Sequence, residues 1–178
     1  MANIIPAQDG LPEIHLFEDS TELRNHLGHA FTHGMFDREN NRIYATPASL
    51  SHEIAHFRDF HSGLMPRAEV MKDPAARRRA KIRNEVVAIL FSWIKTREIT
   101  RLPEHERRFL EWLYFMIDSN RLTPDEPLEN LNFSKLQQFA QRVVSECEEQ
   151  EAVLAELFKH YLNEEERLSG ITLSRIRA

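Results

Sequence analysis

The sequence predicts an α+β fold in which a small antiparallel β-sheet or hairpin near the N-terminus packs on a helical majority. Three observations lead to this prediction. Two strand-like stretches flank a polar, turn-rich tetrapeptide at residues 38–41, which is typical of a β-hairpin. From residue 46 onward, apolar side chains recur mostly at helical spacing. The chain has 178 residues, which is the size of one compact domain.

The strand-like patterns lie near the N-terminus. Residues 13–18 alternate weakly between apolar and polar side chains and predict a first strand. A short helix should follow at about residues 20–27. The hairpin is predicted from residues 30–37 and 42–45, which lie on either side of the polar turn.

Two cap-and-proline pairs mark the starts of helices. A hydroxyl or carboxylate at the cap accepts backbone N–H groups, and proline fits the first helical turn. Thr46-Pro47 therefore predicts a helix that runs to about His61, and Asp73-Pro74 predicts a long helix that runs to about residues 95–97.

The long helix changes character along its length. Residues 77–83 are strongly basic, whereas residues 86–94 are nearly all apolar and must be buried. A further helix is predicted from Pro103 to about Asp118, and a last helix or helix pair covers about residues 132–168.

Composition excludes several classes of protein. The formal net charge of -5 argues against a general nucleic-acid binder, which usually carries a basic surface. The single cysteine, Cys147, excludes an intrachain disulfide and the cysteine-rich zinc modules. No apolar run is long enough for a membrane span or resembles a secretory signal, so we expect a cytoplasmic protein, although delivery into a host by a non-classical route would leave no such pattern.

The most informative motif is His52-Glu53-Ile54-Ala55-His56. Histidines at i and i+4 lie above one another on a helix, so both imidazoles can point at one metal ion. From its place beside the first histidine, the Glu53 carboxylate can reach a water on that ion and act as a general base. The motif predicts a zinc site with a hydrolytic function.

A catalytic zinc commonly has three protein ligands, so a third must come from elsewhere. In metzincins it is a histidine six residues after the second, but that position is Ser62, and His61 comes one residue early. Glu85 is the better candidate, because it stands where the basic half of the long helix gives way to core residues. Glu69 and Glu98 are weaker candidates, since neither stands at an apolar-flanked helix centre.

With Glu85-Val86-Val87-Ala88, the chain resembles the gluzincins, whose pattern is HExxH followed by a glutamate in ExxA or ExxxD on a later helix. The short gap to Glu85 is similar to that of the minimal, small cytosolic peptidases encoded beside repressors on phages and mobile elements, some of which cleave repressors. In these a strand precedes the HExxH helix, and residues 42–45 are similar in placement. The resemblance covers about residues 30–95.

This resemblance implies one zincin-like domain, residues 1–178, with residues 1–100 as the metallopeptidase core and residues 101–178 as a helical C-terminal subdomain. It implies Zn²⁺ as cofactor, His52, His56 and Glu85 as its ligands, and Glu53 as general base and acid. The implied reaction is peptide-bond hydrolysis in a protein or peptide substrate through a zinc-activated water, with the substrate extended along the exposed edge of the hairpin. Neither a nucleic acid nor a membrane is an expected partner.

Supporting residues of the site are less well defined by the sequence. Asp59 falls one turn after His56 and could hold an imidazole by its other ring nitrogen, or it could face solvent beside Arg58. No motif assigns the group that stabilises the oxyanion of the transition state. The candidates for that role are Tyr44, His33, His61 and Tyr114.

Simpler explanations of the same residues stay open. With nine histidines in the chain, an HExxH can arise by chance, and Glu85 could pair with Lys81 one turn earlier. The basic stretch could be a solvated helix face or could dock an acidic peptide. Two other functions therefore remain: a regulatory or protein-binding module on a zincin-like scaffold with structural zinc, and a helical interaction protein without metal.

Overall fold

A computed structural model describes residues 1–28 and 33–148 and shows an α+β fold. The strands are β1 (Asn3–Ile5), β2 (Glu13–Leu16), β3 (Gly34–Asp37) and β4 (Arg42–Ala45). The helices are α1 (Ser20–Leu27), α2 (Leu50–His61), α3 (Pro74–Thr96), α4 (Glu104–Asp118) and α5 (Phe133–Glu148), and short 3-10 turns occur at Ala68–Val70, Ile99–Arg101 and Leu128–Asn130. The predicted bounds of α1, α3 and α4 are confirmed. Residues 30–32 of the expected hairpin and 149–168 of the expected last helix lie outside the described residues.

The sheet is mixed, which corrects the expected antiparallel arrangement. Its strand order is β1-β2-β4-β3, and β2 pairs with β4 in parallel through Ile14 and Ile43. The predicted β3–β4 hairpin is confirmed and antiparallel, with the Asp37 carboxylate accepting two backbone N–H groups of the turn. The parallel pair arises because α1 and β3 lie between β2 and β4 in the chain, so that β4 enters the sheet in the same direction as β2. The short strand β1 was not predicted.

The two faces of the sheet pack on different helices. Ile43 and Ala45 of β4 belong to a cluster with Phe57 of α2. Tyr44, between them, packs instead with Leu23 of α1 and with Phe17. Because successive side chains of a strand point to opposite faces, α2 covers one face of the sheet and α1 the other.

Helix α2 begins later than predicted, at Leu50 rather than at the proline after Thr46. The Thr46 carbonyl accepts the N–H groups of Ser49 and Leu50, and the Thr46 N–H donates to the Ser49 hydroxyl at 3.0 Å. A turn therefore precedes the helix. The start of α3 is as predicted, because the Asp73 carboxylate accepts two backbone N–H groups of the first turn and proline follows it.

The largest core cluster unites α2, α3, α4 and α5. The apolar half of α3 is buried as predicted, from Val86 to Phe91, with Trp93 and Ile94 partly buried at its end. Its partners include Leu110 of α4 and Leu136 of α5. Burying each such side chain contributes roughly 1.5–3 kcal/mol, so the last two helices hold α3 in place. None of the described helices has the length and hydropathy of a transmembrane segment.

Candidate metal centre

Helices α2 and α3 bring His52, His56 and Glu85 together. The two Nε2 atoms of the histidines lie 3.1 Å apart. Glu85 Oε2 lies 3.3 Å from His52 Nε2, and Glu85 Oε1 lies 3.4 Å from His56 Nε2. Within residues 1–28 and 33–148, this is the one group of three His, Cys, Asp or Glu side chains with ligand atoms close enough to share an ion.

The spacing of these atoms fits a tetrahedral zinc ion. Ligand atoms 2.0–2.1 Å from zinc at the corners of a tetrahedron are separated by about 3.3 Å. The three measured separations, 3.1, 3.3 and 3.4 Å, all lie within a few tenths of an ångström of that value. Two imidazole nitrogens and one carboxylate oxygen are also a donor set that zinc favours. The residues therefore fit the ion that the sequence implies.

The cluster is dominated by buried negative charge. The carboxylates of Glu53 and Glu85 act on both imidazoles, and that of Glu106 acts on His52. Burial opposes protonation of His52, but Glu106 and Glu85 outweigh it and raise the pKa of His52 well above the usual 6.5. Burial likewise opposes ionisation of Glu85, but His56 and His52 outweigh it and hold its pKa far below 4.5. Glu85 and Glu106 thus favour a cation on the His52 ring, and at Nε2, which faces Glu85, a proton and a metal ion would compete.

The Glu53 carboxylate lies against the start of β3. Its side chain is 6% exposed, and burial raises its pKa above the usual 4.5. A Cβ on Gly34 would lie 2.5 Å from Glu53 Oε1 and 2.8 Å from Cγ. Gly34 does not have a positive φ, so the need for glycine here is spatial: the Glu53 carboxylate fills the volume of the missing side chain.

Glu106 is a site residue that the sequence analysis missed. It lies in the first turn of α4 and is 3% exposed, and its Oε1 is 3.0 Å from His52 Nδ1. A signal in the sequence could have revealed it. Glu106 shares a helical stripe with the buried residues Phe109, Leu110 and Leu113, and a carboxylate on an apolar stripe requires a buried partner.

The position of Asp59 corresponds to neither of the alternatives that the sequence left open, an imidazole partner or exposure to solvent beside Arg58. Its fully buried carboxylate contacts the guanidinium of Arg83 on α3 and accepts a hydrogen bond of 2.6 Å from Gln137 Nε2 on α5. Gln137 also donates to Ser62 Oγ at 3.0 Å. Asp59 therefore ties three helices together, and Arg83 is buried although it belongs to the basic stretch expected on a solvated face.

Two of the oxyanion candidates lie away from the cluster. Tyr44 is on the face of the sheet opposite α2, where its ring packs on His15 with a centroid distance of 4.9 Å. His61 is exposed at the end of α2, about 140° around the helix from His56, and its Nε2 donates to Asn41 Oδ1 at 3.2 Å.

The other two candidates differ in their distance from the site. Tyr114 packs on Trp93 with a centroid distance of 6.0 Å, and it lies eight residues beyond Glu106, which is about 12 Å along α4. His33 directly precedes Gly34, the residue that contacts Glu53. Of the four, His33 has the backbone placement closest to the general base.

Comparisons with the models of known protein families, with curated protein sequences and with solved structures returned no match. The resemblance to gluzincins stays a prediction. Function is therefore inferred from the site itself.

Proposed function

We propose that the protein is a zinc-dependent metallopeptidase in which His52, His56 and Glu85 hold the ion and Glu53 is the general base. The observation that carries this proposal is the ligand spacing. Donor atoms from α2 and α3, two separate helices, lie at separations of 3.1–3.4 Å, and a tetrahedral zinc ion requires about 3.3 Å. A chance HExxH would not be expected to have a glutamate from another helix at this separation.

The chemistry divides between the ion and Glu53. A bound zinc ion supplies Lewis acidity, which acidifies water and polarises a carbonyl group. Glu53 takes the proton from the attacking water and delivers it to the leaving amine. Burial raises the pKa of the Glu53 carboxyl, which makes it able to hold a proton between these two steps.

The placement of β3 supports an extended peptide substrate. β3 is an outer strand of the sheet, and it begins at Gly34, against the Glu53 carboxylate. A peptide that added to this edge as a further strand would make main-chain hydrogen bonds with β3. Its backbone would then run past the general base.

The test combines metal content with hydrolysis of a peptide library read by mass spectrometry. Wild-type protein should carry about one zinc per chain, and His52→Ala and Glu85→Ala should lose it. Glu53→Gln should keep the zinc and cleave nothing. Glu104→Gln, an exposed change, is the matched control and should behave as wild type. Undiminished cleavage by Glu53→Gln, or no zinc in reconstituted wild type, would contradict the proposal.

One observation favours a second candidate, a zincin-like binding module with structural zinc. His52 and Glu53 are only 7% and 6% exposed, whereas a catalytic zinc ion needs one coordination position open to water or substrate. Wild-type protein that binds zinc but cleaves no member of the library would support this candidate over the peptidase.

A further inference from the structure

We infer that Glu106 is a positioning residue of the metal centre, whose carboxylate holds the His52 imidazole so that Nε2 faces the ion. This inference rests on the proposed zinc site and extends it to α4, a helix beyond the region in which the sequence resembles gluzincins. Glu106 does not approach the ion itself. It acts through His52.

The two nitrogens of the His52 ring face different partners. Nδ1 lies 3.0 Å from Glu106 Oε1, while Nε2 lies 3.1 Å from His56 Nε2 and 3.3 Å from Glu85 Oε2. A neutral imidazole carries its hydrogen on one nitrogen only. A carboxylate that accepts Nδ1–H therefore leaves the Nε2 lone pair available for the metal and fixes the plane of the ring.

The position of Glu106 is set by apolar packing. It lies on the same stripe of α4 as Phe109, Leu110 and Leu113, which are at most 1% exposed and belong to the core cluster with α3. A buried carboxylate in such a place is costly unless it is paired, and the His52 imidazole is a partner within 3.0 Å. The apolar packing of α4 thus fixes Glu106, and Glu106 in turn orients the ligand His52 on α2.

Glu106 also connects the site to the second half of the chain. Glu85 belongs to α3, whose apolar half shares one core cluster with α2 and the last two helices. Glu106 adds a direct polar contact from α4 to the first ligand on α2. Zinc affinity should therefore depend on a residue whose side chain never touches the ion.

The test measures the affinity for zinc alone, by competition with a chromophoric chelator, in three variants. Glu106→Leu keeps the approximate volume and removes the acceptor, so it should weaken zinc binding by about 10–100-fold. Glu106→Gln keeps an acceptor oxygen without the charge and should recover part of that loss. Glu104→Gln is the matched control, because Glu104 is on the same helix but exposed and paired with Arg108, and it should bind zinc as wild type does.

A second readout separates positioning from a contribution to stability alone. Nitrogen NMR of the zinc-loaded protein should show His52 with its hydrogen on Nδ1 in wild type and in Glu106→Gln, and a protected Nδ1–H signal should be lost in Glu106→Leu. Folded Glu106→Leu with wild-type zinc affinity would overturn the role of Glu106 and leave the proposed site intact. If Glu106→Leu does not fold, unchanged affinity in Glu106→Gln overturns it. Absence of zinc binding in wild type would overturn both proposals.

Discussion

The buried ion pair between Asp59 and Arg83 is the contact whose loss should destabilise the protein most. The two side chains are 0% and 5% exposed, and they join α2 to α3 beside the metal cluster. Asp59→Ala leaves the guanidinium of Arg83 buried without its counter-charge, which costs about 3–5 kcal/mol. Gln137 Nε2 also loses its 2.6 Å acceptor, which adds about 1 kcal/mol.

The expected loss is therefore roughly 4–6 kcal/mol of unfolding free energy. For a chain of this size, it corresponds to a drop in Tm of roughly 10–20 °C. The assay is urea unfolding followed by far-ultraviolet circular dichroism. Asp125→Ala is the matched control, because Asp125 is 92% exposed in a surface pair with Arg142, and its loss should cost less than about 1 kcal/mol.

A double variant tests the reason for the loss. Asp59→Leu combined with Arg83→Met replaces the charged pair by apolar side chains of similar volume, and it should recover most of the stability, because no unpaired charge stays buried. The reasoning is refuted if Asp59→Ala costs less than about 1 kcal/mol or if the double variant is less stable than the single one.

Three further predictions concern the site. Gly34→Ala should keep zinc affinity and lose hydrolysis, because its Cβ would displace the Glu53 carboxylate. Adding Glu53→Asp, whose side chain is one methylene shorter, should restore part of the activity. A fully active Gly34→Ala variant would contradict the contact between Gly34 and Glu53. In the presence of a metal chelator, the protein should be less stable at about pH 9 than at about pH 6. The reason is that the stabilisation from protonated His52 is complete below pH 6.5 and disappears as the pH rises through the raised pKa of His52 in the folded state. The contribution of ionised Glu85 to stability has the opposite sign, because it is complete above pH 4.5 and lost on acidification. Zinc should remove the loss of stability at high pH by replacing the proton on His52 Nε2. Equal stability at about pH 9 and about pH 6 in the presence of the chelator would count against a charged His52. Tyr44→Phe should leave zinc affinity and turnover unchanged, because the ring lies on the far face of the sheet, and a loss of turnover at constant zinc affinity would return Tyr44 to the site.

Local signals predicted most of the secondary structure. The Asp73 cap and the proline after it located the start of α3 correctly, because capping depends on residues within one turn of each other. The direction of β2 relative to β4 was not predictable in the same way. Strand pairing depends on how α1 and the hairpin fold back between them, and a three-residue strand such as β1 carries too little pattern to be recognised.

The ligand cluster was also predicted from local pattern. His52 and His56 share a helix face by their spacing, and Glu85 was selected because a carboxylate at the border of an apolar segment needs a partner. The structure brings these three together. Their supporting contacts were not predicted: Asp59 contacts Arg83 and Gln137, which are distant in sequence, and spacing along one helix cannot identify partners on another.

One rule would have indicated that three residues have partners on other helices. Asp59, Glu106 and Gln137 each occupy a buried position on the apolar stripe of its own helix, and each makes a polar contact with another helix. A lone polar residue on an apolar stripe is costly unless a second element supplies its partner, so such residues mark where helices meet in a fixed register. Here the registers they define are those of α2 with α3, α4 and α5.

Because the three donor atoms sit on α2 and α3, a slide of even one residue along either helix, about 1.5 Å, would destroy their 3.1–3.4 Å separations. The polar contacts from the last two helices therefore protect the geometry on which zinc binding depends.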